Sequence, residues 1–279
     1  MQVTRPIGVF DSGIGGLTVL RSIIEKLPQY DYLYLGDNSR APYGNRSFNT
    51  IHQYTWECVQ WLFKQGCPLV ILACNTASAK ALRTIQQKDM LANYADKKVL
   101  GVIRPTAEVI GDYSKSKQIG VLGTTGTIQS ESYLIEIKKF FPDVEVHQQA
   151  CPLWVPIIES GEYNKAGADY YVKLYIDEIL AKSADIDTVL LACTHYPLLQ
   201  SKIEEHLPPH VKVVSQGQIV ANSLADYLKR HNDIEQDITQ NSTRRFFTTS
   251  DDTTDFDEHA SMFFSSPVKS EYALLTYDN

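Results

Sequence analysis

The chain has 279 residues, 43% hydrophobic and 21% charged, with a formal net charge of -7 and a pI near 5.5. That length can bury a large core, as one big domain or two modest ones. The acidic balance argues against nucleic acid or an anionic membrane as partner, and no apolar run approaches the roughly 18–20 residues of a membrane span.

In chain order, MQVTRPIGVFD passes almost directly into a strand-like run with no signal-type segment ahead of it, so a cytoplasmic location is expected. PIGVFDSGIGGLTVLRSIIEKLP reads as a strand, a Gly-rich turn and a helix running to Pro28. DYLYLGD is a second strand, followed by the polar loop NSRAPYGNRS. A helix from Phe48 to Lys64 leads to the strand LVILAC and a helix starting near Asn75. KKVLGVIRP is a further strand stopped by Pro105. A second set then begins. KQIGVLGTTGTIQSESYLIEIKKFFP repeats strand, Gly/Thr turn and helix, VEVHQQACP is a strand entering a loop, and Tyr170 to Ser183 is helical. DTVLLACTHYPLLQSKIEEHLP is strand, loop and helix, and VKVVSQGQIVANSLADYLKRH adds one more of each. Asn232 to Ser242 is loosely patterned, RRFFTTS is a late edge strand and DFDEHASMFFS a short helix, with little pattern from there to Asn279.

The alternation predicts an α/β protein of two similar three-layer domains with parallel-type sheets and an active-site cleft between them. The division expected is 1–100 completed by 211–279, against 101–210, with a hinge near Gly101 to Ser116. The halves share strand-loop organisation: FDSGIGG is matched by LGTTGT, and ILAC by LLAC.

Five cysteines occur, at 58, 67, 74, 151 and 193, without a CxxC pair, so reduced thiols are expected. Cys58 and Cys67 read as packed thiols without polar company. Cys74 and Cys193 differ. Each ends an apolar strand, where open α/β sheets hold ligands, and each is followed by amide or hydroxyl side chains, Asn75-Thr76 and Thr194-His195. A thiol at a helix start can have its pKa lowered from about 8.5 and serve as a base. A Cys-His pair could attack a carbonyl. Metal ligation fits poorly, because no further ligands stand at metal spacing. Two thiols facing across a cleft suit a third task, in which one removes a proton from carbon and the other delivers one to the opposite face. The turn DSGIGG lacks the spacing of a nucleotide fingerprint. It reads either as a tight turn that uses glycine for geometry or as an exposed row of N–H groups for a small carboxylate.

The stretches GVFDSGIGGLTVL, LGDNSRAPYG, ILACNTASA, VLGTTGTIQS, ACPLWVPIIE and LLACTHYPLL resemble the bacterial glutamate racemases, in the cofactor-independent amino-acid racemase superfamily. The resemblance runs from about Ile7 to Tyr227. It implies that Cys74 and Cys193 are the acid and base at Cα, with Asp11 assisting Cys74 and His195 assisting Cys193. It further implies substrate contacts at Asp11, Ser12, Pro42, Tyr43 and Gly44, at Asn75 and Thr76, at Thr194 and His195, and in the second turn at Thr124 and Thr127. L- and D-glutamate would be the substrates, with no cofactor and no metal, and D-glutamate would feed peptidoglycan synthesis and so cell shape. A homodimer is implied, with no nucleic-acid or membrane partner. One departure stands out: after VKVV relatives usually show an Asp-Ser-Gly type turn, and here it is Ser215-Gln216-Gly217. The alternatives are a racemase of aspartate or hydantoin, or an α/β binding protein that holds glutamate without exchanging its Cα proton.

Overall fold

The computed structural model describes residues 4–91 and 94–275. The expectations for the first three and last four residues therefore lie outside the described residues. Among the described residues ten strands form two all-parallel sheets. The first contains β1 (Ile7–Asp11), β2 (Tyr32–Gly36), β3 (Leu69–Leu72) and β4 (Lys98–Gly101). The second contains β5 (Gln118–Gly123), β6 (Glu145–Ala150), β7 (Thr188–Ala192) and β8 (Lys212–Val214). The chain then returns to the first sheet with β9 (Arg244–Thr248) and β10 (Ser270–Tyr272). The orders are β10-β9-β2-β1-β3-β4 and β6-β5-β7-β8. The run β2-β1-β3-β4 thus recurs as β6-β5-β7-β8, a duplication of topology beneath a faint likeness of sequence.

The central strands are apolar throughout because both faces are covered. Ile7, Val9, Tyr32, Tyr34, Leu69 and Ile71 enter one core with Leu17, Leu20 and Ile23 of the helix Leu17–Lys26 and Val220, Leu224 and Leu228 of the helix Gly217–Arg230. Their alternates Phe10, Leu33, Leu35, Val70 and Leu72 enter another, against Ile51, Cys58, Val59 and Leu62 of the helix Phe48–Lys64. The period of two in a strand gives this division directly. In the second sheet Val189 and Leu191 face the helix Ala166–Leu180, while Leu190 and Ala192 face Tyr133 and Ile137. No helix among the described residues is long and apolar enough to cross a membrane.

Four expectations are corrected. The chain from 211 was assigned to the first domain, but β8 pairs with β7, so this strand belongs to the second sheet. Pro105 does not stop β4: the strand ends at Gly101, and Pro105 lies in the first turn of a short helix, Ile103–Ala107, where its missing N–H costs nothing. β9 is not an edge strand, because β10 pairs beyond it. Within Asn232 to Ser242, Asn232–Asp237 forms a helix.

Candidate active site

In each sheet the connections run in opposite directions from a central strand, β1 in the first and β5 in the second. The carboxyl edge at that switch is where α/β sheets leave a crevice. Asp11 ends β1 and Thr124 follows β5, while Cys74 and Cys193 come just after the neighbouring strands β3 and β7. The duplicated plan thus carries the two thiols to equivalent places. Both open on one cavity of about 60 Å³, room for a few waters.

The first sheet contributes Ser12, the loop residues Pro42, Tyr43 and Gly44, and Asn75 and Thr76 to its wall. Thr124, Thr194 and His195 come from the second. Asp11 and Thr127 are completely buried behind that wall: Asp11 accepts from Thr194 Oγ1 at 3.3 Å, and Thr127 Oγ1 lies 3.1 Å from Thr124 Oγ1 and 3.3 Å from Thr76 Oγ1. The peptide N–H of Gly126 donates to the Gly44 carbonyl at 2.8 Å, a backbone bond joining the two halves of the wall.

Glycine in DSGIGG serves space, and neither residue 15 nor 16 has positive φ. A Cβ on Gly15 would stand 2.4 Å from both His195 Nδ1 and Thr194 Oγ1, and one on Gly16 would stand 2.6 Å from the Asp11 Cβ. The Thr18 hydroxyl secures this approach, its one proton shared between Gly15 O at 2.9 Å and Thr194 O at 3.0 Å. Asp11 does not cap the helix that follows, whose N-cap is Gly16.

The surroundings of the two thiols differ. Cys74 is the N-cap of the helix Asn75–Lys80, its sulfur accepting from Ala77 N–H at 3.4 Å and donating to Ser12 Oγ at 3.5 Å. The lowered pKa expected of a helix-start thiol is not found. Burial, then the neighbouring Asp11 charge, outweigh those bonds and push Cys74 up to about 12. Burial likewise raises Asp11 to about 6, against the pull of His195, Gly13 N–H and Thr194. On the other side His195 Nδ1 lies 4.0 Å from Cys193 Sγ, and His195 Nε2–H donates to Glu159 Oε1 at 2.9 Å. Burial disfavours the charged imidazole, but the bonds and charges of Cys193 and Glu159 prevail, and its pKa rises to about 10.

Three groups were missed in the sequence. Glu159 ends the short helix Trp154–Glu159 and lines the cavity. It falls inside a recognised stretch, ACPLWVPIIE, but nothing local marks a carboxylate that meets its histidine only in the fold. Arg40 donates through Nε to Asp37 at 2.7 Å and through Nη2 to Cys58 Sγ at 3.4 Å, so Cys58 does have polar company. The Tyr43 hydroxyl donates to the same Asp37, which fixes the loop that carries Pro42 and Gly44 to the cavity. The third is Gln216, buried behind Asn75. Cys151 also lines the cavity.

Two parallel α/β sheets thus bring Cys74 and Cys193 to one cavity. The Asp/Glu/hydantoin racemase family matches residues 7–224, and the chain belongs to that family. It is 40% identical to the glutamate racemase of Sulfurihydrogenibium sp. (strain YO3AOP1) over 267 residues, 95% of this chain and 96% of that one. Among solved structures it is similar to glutamate racemase RacE1 of Bacillus anthracis (TM-score 0.84, 34% identity, covering 98% of this chain and 99% of that one). It is similar also to the glutamate racemase of Francisella tularensis in complex with D-glutamate (TM-score 0.86, 31% identity, 98% of each chain).

Proposed function

We propose that this racemase interconverts L- and D-glutamate by proton transfer at Cα between two thiols, without a cofactor. The observation that carries the reading is the opening of Cys74 and Cys193, from equivalent places in two similar sheets, on one cavity. In this reading the units are residues 1–100, completed by the chain after Val214, and 101–214, with substrate held between them.

At neutral pH the raised values leave Cys74 a thiol and His195 an imidazolium. The imidazolium, anchored by Glu159, supplies the counter-charge that a Cys193 thiolate needs. Cys193 then takes the Cα proton of L-glutamate while Cys74 delivers its own to the opposite face, which gives D-glutamate. The reverse reaction starts with the proton on Cys193 and the charge on Cys74. There Ser12 and the Ala77 N–H stabilise the thiolate, and protonation of Asp11 would remove the nearest like charge. Charge developing at the carboxylate end meets donors from Asn75, Thr76, Thr124 and Thr194 in a cavity with little room for water. Such donors act without reorganising at the moment of reaction. The same reading makes the protein a cytoplasmic homodimer that supplies D-glutamate for peptidoglycan, with no nucleic-acid or membrane partner.

The test is optical rotation with L- and then D-glutamate and no added cofactor, on the purified protein and on Cys74→Ser and Cys193→Ser. Both enantiomers should run to the racemate, and each substitution should slow this by about a thousandfold or more. Turnover of aspartate but not glutamate would move the specificity elsewhere. Glutamate binding with no Cα–H exchange would make the cavity a binding site.

A further inference from the structure

Gln216 belongs to the Ser215-Gln216-Gly217 turn, where the sequence departs from the family it resembles. It is buried, and both ends of its carboxamide are hydrogen-bonded inside the protein. Its Oε1 accepts from Asn75 Nδ2 at 2.8 Å. Its Nε2 donates to the Tyr133 hydroxyl at 2.5 Å and to Thr106 Oγ1 at 2.9 Å. The Tyr133 hydroxyl in turn donates to Asn75 Oδ1 at 2.5 Å. Asn75, Gln216 and Tyr133 thus form a closed ring of three hydrogen bonds, each group giving one proton and receiving one. Thr106 anchors it from outside, its own proton going to Val102 O at 2.8 Å.

The surroundings of Gln216 set the sense of the ring, because Nε2 faces two acceptors, Thr106 Oγ1 with its proton committed to Val102 O, and Val102 O itself at 3.4 Å. With the Asn75 carboxamide reversed, its oxygen would face Gln216 Oε1 and its nitrogen would face a hydroxyl already receiving the Gln216 proton. Asn75, between Cys74 and Thr76, lines the cavity. A free asparagine can offer a ligand either its oxygen or its nitrogen. The ring removes that choice and leaves one Nδ2 proton uncommitted.

We propose that Gln216 is a positioning residue, which through this ring fixes the Asn75 carboxamide so that the cavity offers an N–H donor to a substrate carboxylate. The proposal rests on the glutamate reading above. An N–H held in place binds the carboxylate alike in the ground state and the transition state, so loss of the ring acts on KM. Because Asn75 (2% exposed), Gln216 (4%) and Tyr133 (0%) are shut from solvent, water does not readily replace a missing member.

The experiment compares Gln216→Leu, Tyr133→Phe and the double variant with wild type, measuring kcat and KM for both enantiomers of glutamate together with the thermal midpoint. Each single variant should raise KM about tenfold, with kcat within about threefold. The double variant should be little worse than the poorer single one, since one ring is broken only once. Tyr133→Phe removes a single oxygen and serves even if Gln216→Leu folds poorly. A lower midpoint with unchanged KM, or effects that multiply in the double variant, overturns the proposal. If wild type does not turn over glutamate, the substrate reading falls, and the ring is then judged by the ¹H–¹⁵N resonances of the Asn75 carboxamide. Nδ2 protons shifted from the free-amide position and protected from solvent exchange in wild type, with shift and protection lost in both single variants, support it, and resonances unaltered by the substitutions overturn it.

Discussion

The run β2-β1-β3-β4 and its repeat β6-β5-β7-β8 set a cysteine at the same place, yet surround it with different chemistry. After β3 the thiol has a serine hydroxyl, a backbone N–H and a buried carboxyl nearby, and burial keeps its proton on. After β7 it has a histidine whose pKa is raised first by its bond to Cys193 and then by its bond to Glu159. Topology therefore fixes where the two thiols stand, and their neighbours give each a different electrostatic setting. In the proposed reaction that difference matters, because one thiol must give a proton while the other takes one.

The sharpest way to break the second half-site is Gly15→Ala. The added methyl must displace His195 and Thr194, and a shift of about 1 Å at a reacting group can cost about a hundredfold. We expect a fall of that size in kcat/KM. Wild-type activity in a folded Gly15→Ala protein would show that the histidine side tolerates movement.

Next come the two carboxylates. Glu159→Gln keeps a bond to His195 but removes the charge that supports the imidazolium, so the alkaline limb of kcat/KM should move to lower pH. At pH 9 the loss should be about tenfold. Asp11→Asn should leave that limb in place and remove any acid-side inflection near pH 6. If the two profiles cannot be told apart, the half-sites are not electrostatically distinct.

Stability should respond to pH in the same terms. His195, raised from 6.5 to about 10, contributes stability that is fully present below pH 6.5 and lost as pH rises through 10, on the order of a few kcal/mol. Asp11, raised from 3.8 to about 6, favours the folded state while protonated, so its contribution is lost as pH rises from about 4 through 6. Urea midpoints across these windows should decline in wild type. The lower window should flatten in Asp11→Asn and the upper one in Glu159→Gln.

The smallest effect belongs to Cys58, a thiol outside the cavity. Cys58→Ala should cost about 1 kcal/mol of stability and leave kcat/KM within about twofold. A large kinetic effect would mean that the Arg40 network controls the loop bearing Pro42 and Tyr43 more tightly than its distance from the thiols suggests.

The sequence made the strands and the two thiols legible because doubly covered parallel strands are apolar runs, and a polar residue at the end of such a run is conspicuous. The helix at about Phe48 to Lys64 was legible as a helical stretch, and the structure has it at Phe48–Lys64. The strand β10 was not, because three residues with half of their surface open carry no periodic signal. Glu159, Asp37 with Arg40, and Gln216 escaped for another reason. Each takes its meaning from a partner that only the fold brings near: Glu159 meets His195 across 36 positions, and Gln216 meets Asn75 across 141. The lowered pKa expected of Cys74 failed because local sequence reveals the helix start but not the depth of burial.

The hollow at Gly15 has a consequence for ancestry and for engineering. The missing side chain in one half is the space occupied by the histidine of the other, so the two halves carry a shared constraint that neither displays alone. A chimera joining the first half of this chain to the second half of a relative would inherit two intact folds. It would work only where residue 15 and the loop at 194–195 had been inherited as a compatible pair.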